Sequence, residues 1–243
     1  MAYEIKEETP AGIQKAGFIT RALTSTVFAL VWLVGVCLGF RWYILPVLCA
    51  AVTVIGVYEF IKLTKGRLSL WLSAALGFLY LAVPLACFLV LRIWTLLPAL
   101  TLLFSVWGAD TAAYVFGSLF GRHKLVPKLS PKKSWEGFIA SVVFSILVWV
   151  VMPLIVNAIS KSAANGITSF GVFGIVCGLL TACAGLAGDL FESYLKRRAG
   201  VKDAGTILPG HGGILDRFDS LLAAAPVTLI AFVIVFVRFW PVS

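Results

Sequence analysis

The sequence predicts an all-α protein, a polytopic transmembrane helical bundle of about seven spans. Three observations support this prediction. Hydrophobic residues make up 60% of the 243 residues and charged residues only 13%, a balance that soluble domains do not have. The hydrophobic residues fall into seven runs, each long enough to cross about 30 Å of hydrocarbon as a helix. Basic residues are concentrated in alternate connecting segments, which is typical of one side of a membrane.

The predicted spans, in chain order, are Ala22–Phe40, Tyr43–Ile61, Leu68–Leu91, Ile93–Phe120, Phe138–Ala158, Phe170–Gly188 and Phe218–Trp240. The fourth is longer than a crossing needs, so it is expected to be tilted, kinked or partly interfacial. The sequence contains no repeat of fixed period and no linker rich in proline and serine. We therefore expect one integral membrane domain over residues 1–243, with a cytoplasmic tail at 1–21, N-terminal spans in 22–120 and C-terminal spans in 121–243.

The 20 basic residues predict the orientation of the chain. The tail through Arg21 and the segments 62–67, 121–137 and 189–217 carry 3, 3, 5 and 5 of them, and the other four segments carry one each. Because cytoplasmic segments retain Lys and Arg, we expect the N-terminus and both polar loops in the cytoplasm. The net charge of +9 then lies mainly at one membrane face. It suits anionic lipid headgroups, and no nucleic-acid partner is expected.

The first polar cluster lies at the end of the fourth run and in the loop after it. Asp110 is well inside that run, with Tyr114 four residues later on the same helical face. A carboxylate at that depth needs water, a cation or a donor, so Asp110 either lines a cavity or pairs with a neighbouring helix. In the loop, Ser130, Lys132 and Lys133 offer hydroxyl and ammonium groups that suit phosphate oxygens. The alternative is that these lysines rest on anionic headgroups.

The second polar cluster occupies residues 189–219, between the last two runs. Asp189, Glu192 and Ser193 share one helical face, because they are spaced i, i+3 and i+4. The bases that follow suit phosphate binding or interfacial anchoring and are Lys196, Arg197, Arg198 and Lys202. A turn around His211 then allows the backbone to approach a ligand closely, and it contains Gly205, Pro209, Gly210, Gly212 and Gly213.

Asp216 and Asp219 begin the last run, with Arg217 between them. Acids at a helix N-terminus are favoured by its dipole, and this alone explains both residues in purely structural terms. Asp189, however, reaches the same membrane face at the end of the preceding run. Carboxylates that converge from two helices near lysines are what Mg²⁺ carrying the phosphates of a nucleotide requires.

These clusters resemble the phosphatidate cytidylyltransferases, the CDP-diacylglycerol synthases. The resemblance rests on a long gapped pattern, which is Ser193-x-Leu195-Lys196-Arg197, Lys202-Asp203-x-Gly205 and Leu208-Pro209-x-His211-Gly212-Gly213-Ile214-x-Asp216-Arg217-Phe218-Asp219. Similar segments upstream are Tyr58-Glu59-Phe60, Asp110-x-x-Ala113-Tyr114, Gly121-Arg122 and Ser130-Pro131-Lys132-Lys133-Ser134-Trp135-Glu136-Gly137. In all, the resemblance covers about residues 58–219. The chain looks short beside the bacterial members, and N-terminal spans are expected to be missing.

The resemblance implies that CTP reacts with phosphatidic acid to give CDP-diacylglycerol and pyrophosphate, with Mg²⁺ as cofactor and a further monovalent cation left open. The implied metal ligands are Asp189, Asp216 and Asp219. The implied catalytic residues are Asp189, Asp216, Lys196, Arg197 and His211. The implied substrate-binding residues are Ser130, Lys132, Lys133, Ser193, Lys202, Gly212, Gly213, Arg217 and Asp110. His211 has three open roles, as a phosphate donor, as a general acid to pyrophosphate, or as a constraint on the turn.

The expected setting is the bacterial inner membrane, with the active site facing the cytoplasm and a homodimer as one open assembly. A phosphate monoester has a second pKa near ~6 and is already an anionic nucleophile, so no Ser-His or Cys-His pair is needed. One alternative is a CTP-dependent polyprenol or lipid-alcohol kinase, which would release CDP. The other is a membrane transporter, which only Asp110 and Glu59 support. Glu59 is expected to reach the interface or to pair with Lys62.

Overall fold

The computed structural model describes residues 11–38, 43–160, 167–205, 207 and 212–239. Its helices are α1 (Ala11–Leu38), α2 (Ile44–Thr64), α3 (Leu70–Trp94), α4 (Leu96–Phe120), α5 (Trp135–Ser160), α6 (Ile167–Ala199) and α7 (Leu215–Phe239). A small antiparallel hairpin of β1 (Lys124–Val126) and β2 (Ser130–Ser134) lies between α4 and α5. The predicted all-α bundle of about seven spans is confirmed, and the hairpin is an addition that hydropathy did not indicate.

The outer surface of the bundle is apolar. Helices α2 to α7 are each long and apolar enough to cross a membrane, and the part Leu23–Leu38 of α1 is a shorter apolar helix. Large hydrophobic side chains point outward along these helices, including Trp71 at 83% and Leu119 at 68% exposure. So much exposed apolar surface is unfavourable in water, whereas lipid chains solvate it. Each helix also satisfies the hydrogen bonds of its own backbone, as a membrane interior requires. The chain is an integral membrane protein.

The structure moves the boundary between membrane span and polar loop at two places. Helix α1 begins at Ala11, so the second half of the predicted tail is helical, while residues 1–10 lie outside the described part of the chain. Helix α6 continues to Ala199, eleven residues beyond the predicted end of its span. It stops at Gly200, whose φ of 73° is left-handed. There Gly200 N–H donates to the Arg197 carbonyl and Val201 N–H to the Lys196 carbonyl, the pattern of a Schellman motif.

Buried hydroxyl groups connect the helices that carry the second half of the chain. The Ser105 and Ser145 hydroxyls lie 2.6 Å apart, and Ser145 also donates to the Gly178 carbonyl at 2.8 Å. Thr181 and Thr228 lie 3.1 Å apart and join α6 to α7. Since hydrocarbon offers no competing partner, such contacts fix how helices sit against one another.

Helix α1 packs across the beginning of α7. The Phe28 and Trp32 rings contact the Phe218 ring, with centroids 5.6 and 4.9 Å away. Near the C-terminal end of α1, the Arg92 guanidinium donates to the Val36 carbonyl at 2.6 Å. Arg92 thereby satisfies a carbonyl that has no partner within its own helix end.

Substitution of two glycines in α6 should give opposite effects on stability. A Cβ at Gly178 would lie 2.5 Å from the Ile146 Cα, so Gly178→Ala should destabilise the protein by about 1–3 kcal/mol. A Cβ at Gly171 would meet nothing within 4 Å, so Gly171→Ala should be neutral or stabilise by up to about 1 kcal/mol. Thermal unfolding in detergent measures both. Equal shifts would contradict the close crossing of α5 and α6.

Candidate functional site

Three carboxylates from α6 and α7 meet at one end of the bundle. Asp189, Glu192 and Asp219 each place an oxygen within 4.8 Å of the other two, and we call them the carboxylate group. Asp189 and Glu192 share a helical face because they are three residues apart. Gly188 lets α7 approach, since a Cβ there would lie 2.3 Å from the Asp219 carbonyl oxygen.

Lys196 connects the end of α6 to the start of α7. Its Nζ lies 2.6 Å from Glu192 Oε2 and 2.6 Å from Asp216 Oδ1. The second oxygen of Asp216 accepts hydrogen bonds from the backbone N–H groups of Ala204 and Gly213, each at 2.8 Å. Asp216 therefore folds the segment between the two helices back onto the first turn of α7.

Negative charge in the carboxylate group is only partly matched by neighbouring cations. Lys133 pairs with Asp189 and Lys196 with Glu192. Glu192 is 1% exposed, and within the described part of the chain its Oε1 has no hydrogen-bond partner. An unsatisfied buried acceptor costs about 1–3 kcal/mol. A divalent cation that prefers oxygen ligands would satisfy this atom and neutralise the group, so these residues fit Mg²⁺.

The hairpin packs against the same end of the bundle. Ser134 starts α5 by accepting a hydrogen bond from the Gly137 N–H at 3.2 Å, as an N-cap residue does. Lys133 Nζ lies 2.5 Å from Asp189 Oδ2. On the other side, Arg197 Nε lies 3.5 Å from the Leu129 carbonyl oxygen, a long contact. The two polar segments thus meet, as the distribution of basic residues predicts.

Two cavities flank the carboxylate group. The hairpin-side cavity has a volume of about 300 Å³, and its lining includes Ser130, Lys132 and Asp189 together with apolar residues of α4 to α6. The α1-side cavity has a volume of about 390 Å³, and its polar lining includes Thr24, Ser25, Thr111, Asp216, Arg217 and Asp219. Asp110 lines both cavities. The carboxylate group can therefore be approached from two directions.

Most of the predicted site residues come together. The carboxylate group, its two lysines and the cavity walls include Asp110, Ser130, Lys132, Lys133, Asp189, Lys196, Asp216, Arg217 and Asp219. Ser193 lies beside them, its hydroxyl donating to Asp189 Oδ1 at 3.4 Å. Gly212 has a left-handed φ of 81°, and Gly213 is buried. Lys202 is exposed in the segment after α6, and among the described residues no contact places it at the carboxylate group. His211 lies outside the described residues, and its three roles stay predictions.

The structure divides the predicted metal ligands. Asp189 and Asp219 belong to the carboxylate group, whereas both oxygens of Asp216 already bind Lys196 and the backbone. Metal binding by Asp216 stays a prediction. Glu192 takes the third place in the group, and its spacing from Asp189 was the sequence signal for it. Glu59, expected to reach the interface or to pair with Lys62, is instead 1% exposed and bound to the backbone of residues 214 and 215.

Comparisons with known proteins bear on the same region. A family model described as "Cytidylyltransferase family" matches residues 65–235. The phosphatidate cytidylyltransferase of Staphylococcus epidermidis is 48% identical over 121 residues, which cover 50% of this chain and 43% of that relative. The protein of that name from Haemophilus influenzae is 44% identical over 121 residues, 50% of this chain and 40% of the relative. That from Staphylococcus saprophyticus is 44% identical over 124 residues, with 50% and 43% covered. The chain matches less than half the length of these relatives.

Removal of the Lys196 charge should destabilise the protein. Lys196→Met leaves Glu192 and Asp216 buried without their shared cation, which should cost roughly 3 kcal/mol and lower Tm by several degrees. The matched control is Arg198→Met, which removes an exposed cation two residues later on the same helix. Thermal unfolding of both variants in detergent is the measurement. A Tm for Lys196→Met equal to that of the control would show that the ion pairs do not support the fold.

Proposed function

The chain belongs to the cytidylyltransferase family, and from this premise we propose that it is a phosphatidate cytidylyltransferase. It transfers CMP from CTP to phosphatidic acid and releases pyrophosphate. The observation that carries the proposal is the carboxylate group, which two consecutive helices bring together opposite the lysines of the hairpin. Relatives that bear this enzyme name, at 44–48% identity over half of the chain, support the choice of substrates.

The reaction needs little covalent chemistry from the protein. An oxygen of the lipid phosphate attacks the α-phosphorus of CTP, and the bond from that phosphorus to the α,β-bridging oxygen breaks. The bonding electrons leave with pyrophosphate. Because the lipid phosphate is an anion at neutral pH, no residue has to remove a proton from it. The protein contributes position and charge neutralisation, which dominate phosphoryl-transfer catalysis in general.

We assign Mg²⁺ to the carboxylate group, with Asp189, Glu192 and Asp219 as the residues that would hold it. When bound there, Mg²⁺ would neutralise phosphate charge in the transition state. The sequence also predicts Asp216 as a ligand. We assign it a different role, which is to orient Lys196 and the segment before α7. A monovalent cation beside Mg²⁺ stays a prediction.

Cations of the hairpin supply the phosphate contacts. Lys132 and Lys133 line the hairpin-side cavity together with Ser130, so their ammonium and hydroxyl groups donate to phosphate oxygens placed there. Lys133 pairs with Asp189. A cation bound by Asp189 would offset the same charge and leave Lys133 to the substrate.

The two cavities suit a reaction with two substrates. In-line attack requires the nucleophile and the leaving group on opposite sides of the reacting phosphorus. Asp189 lines the hairpin-side cavity and Asp219 lines the α1-side cavity, so a phosphorus held at the carboxylate group would be open to both.

The proposed setting is the bacterial inner membrane, with the site on the cytoplasmic face. Sixteen of the 20 basic residues lie in segments that this orientation places in the cytoplasm, where CTP is available. The bilayer supplies the lipid substrate laterally, which suits a site at the ends of spanning helices. Assembly as a homodimer stays a prediction.

The activity is tested with purified protein, Mg²⁺, labelled CTP and phosphatidic acid, and we expect labelled CDP-diacylglycerol and pyrophosphate. Asp219→Asn should lower turnover more than about 100-fold, because even the outer partners of metal ligands are worth 10–100-fold. The matched control is Glu136→Gln, which changes a carboxylate paired with exposed His123 outside both cavities. It should keep turnover within about 2-fold of the wild type.

Other products would overturn the proposal. Release of CDP with phosphorylation of an added polyprenol or lipid alcohol would identify a kinase. Absence of any nucleotide turnover, with movement of a solute across vesicles that contain the protein, would identify a transporter.

The metal assignment is tested by thermal unfolding without substrate. At 100 times its Kd, Mg²⁺ should stabilise the wild type by about 2.7 kcal/mol, which raises Tm by several degrees. Asp189→Asn and Glu192→Gln should lose this shift, whereas Asp216→Asn should keep it while losing activity. A shift that is lost in Asp216→Asn and kept in Glu192→Gln would restore Asp216 as the ligand and remove Glu192.

A further inference from the structure

A buried carboxylate of α2 contacts the beginning of α7. Glu59 is 1% exposed, and its Oε1 accepts a hydrogen bond from the Ile214 N–H at 3.0 Å. Its Oε2 accepts another from the Leu215 N–H at 2.9 Å. The first N–H groups of a helix have no partner within it and carry the positive end of its dipole. Glu59 therefore acts as an N-terminal cap for α7, although it lies 155 residues earlier in the chain.

Two glycines leave the space that the Glu59 carboxylate occupies. A Cβ at Gly205 would lie 2.3 Å from Glu59 Oε1, and the three nearest atoms to it all belong to the Glu59 side chain. A Cβ at Gly213 would lie 2.6 Å from Glu59 Oε2. Only residues without a side chain fit against Glu59 at both positions. The segment that leaves α6 and the segment that enters α7 thus meet on the same carboxylate.

A second carboxylate, that of Asp216, binds the same segment between α6 and α7. Asp216 Oδ2 accepts hydrogen bonds from the N–H of Ala204, the neighbour of Gly205, and from the N–H of Gly213 itself. Asp216 also holds Lys196, and Asp219 of the carboxylate group follows one turn later on α7. The position of the first turn of α7 therefore depends on what holds residues 214 and 215. The geometry of the carboxylate group and of the Lys196–Asp216 ion pair depends on the same contacts.

We propose that Glu59 is a positioning residue for the reaction, which fixes the first turn of α7 and so sets the distance from Asp219 to Asp189 and Glu192. It lies before the residues 65–235 that the family model matches. The catalytic consequence of this role rests on the proposed function. The contacts of Glu59 with α7 do not depend on that function. Glu59 touches no substrate and acts through α7.

The first test is steady-state kinetics of Glu59→Gln and Glu59→Ala, with Lys62→Gln as a matched control one turn later on α2. Misplacement of a reacting group by about 1 Å costs about 100-fold. We therefore expect kcat, per folded protein, to fall about 10-fold in Glu59→Gln and about 100-fold in Glu59→Ala. The KM for phosphatidic acid should stay within about 2-fold. The Glu59→Gln side chain keeps one acceptor oxygen, whereas Glu59→Ala keeps none. The prediction is therefore that kcat decreases from the wild type to Glu59→Gln and further to Glu59→Ala.

The second test is a double-mutant cycle that needs no activity. Gly205→Ala alone should lower Tm and speed hydrogen exchange at residues 212–219, since the three atoms nearest to its Cβ all belong to Glu59. In a Glu59→Ala background the same substitution should add little, because the clash is gone. Additive effects of the two changes would show that the contact is absent and would overturn the proposal.

The outcomes separate this proposal from the proposed function. A wild-type protein without cytidylyltransferase activity would overturn the function, while the cycle would still decide whether Glu59 holds α7. An active wild type with unchanged kcat per folded protein in Glu59→Ala would show that Glu59 only stabilises the fold. A rise in the KM for phosphatidic acid with kcat unchanged would place Glu59 in lipid binding. Each of the last two results contradicts a positioning role.

Discussion

The ammonium group of Lys196 is shared between Glu192 on its own helix and Asp216 on the next, at 2.6 Å from an oxygen of each. The order of the site depends on this arrangement. Removal of Lys196 would leave both carboxyl groups buried without their shared cation, so Lys196 holds the other two groups in place. The second oxygen of Asp216 extends the order into the backbone at Ala204 and Gly213. A single cation thus links the end of one helix, the beginning of the next and the segment between them.

The sequence predicted the large features because membrane burial depends on composition and length. Each of the seven apolar runs corresponds to a helix in the described part of the chain, and the alternation of basic residues correctly predicted that the hairpin and the end of α6 lie together. Helix boundaries were less predictable. Polar residues 189–199 resemble a loop to a hydropathy measure, yet the helix continues through them, because backbone hydrogen bonds do not require apolar side chains. Hydropathy does not predict the hairpin either, since its two strands are only three and five residues long.

The membership of the carboxylate group shows where sequence reasoning reached its limit. Spacing places Asp189 and Glu192 on one face of α6, but which acid of α7 meets them depends on how α7 is rotated. That rotation is set by packing, including the close approach at Gly188. Between Asp216 and Asp219, the sequence offered no means to decide which faces the group and which faces Lys196. Glu59 was harder still, because its partners are backbone groups more than 150 residues away, and a backbone N–H leaves no mark on the sequence.

Helix α1 is held near its middle by the aromatic contacts of Phe28 and Trp32 with Phe218, and near its C-terminal end by Arg92 at the Val36 carbonyl. It also provides one wall of the α1-side cavity. A wall that is tethered at two points is already in its bound position before a ligand arrives. A ligand that enters there loses less free energy to ordering the protein, so more of its contact energy becomes affinity. The shape of this cavity, rather than the adaptation of its walls, then decides which molecules fit.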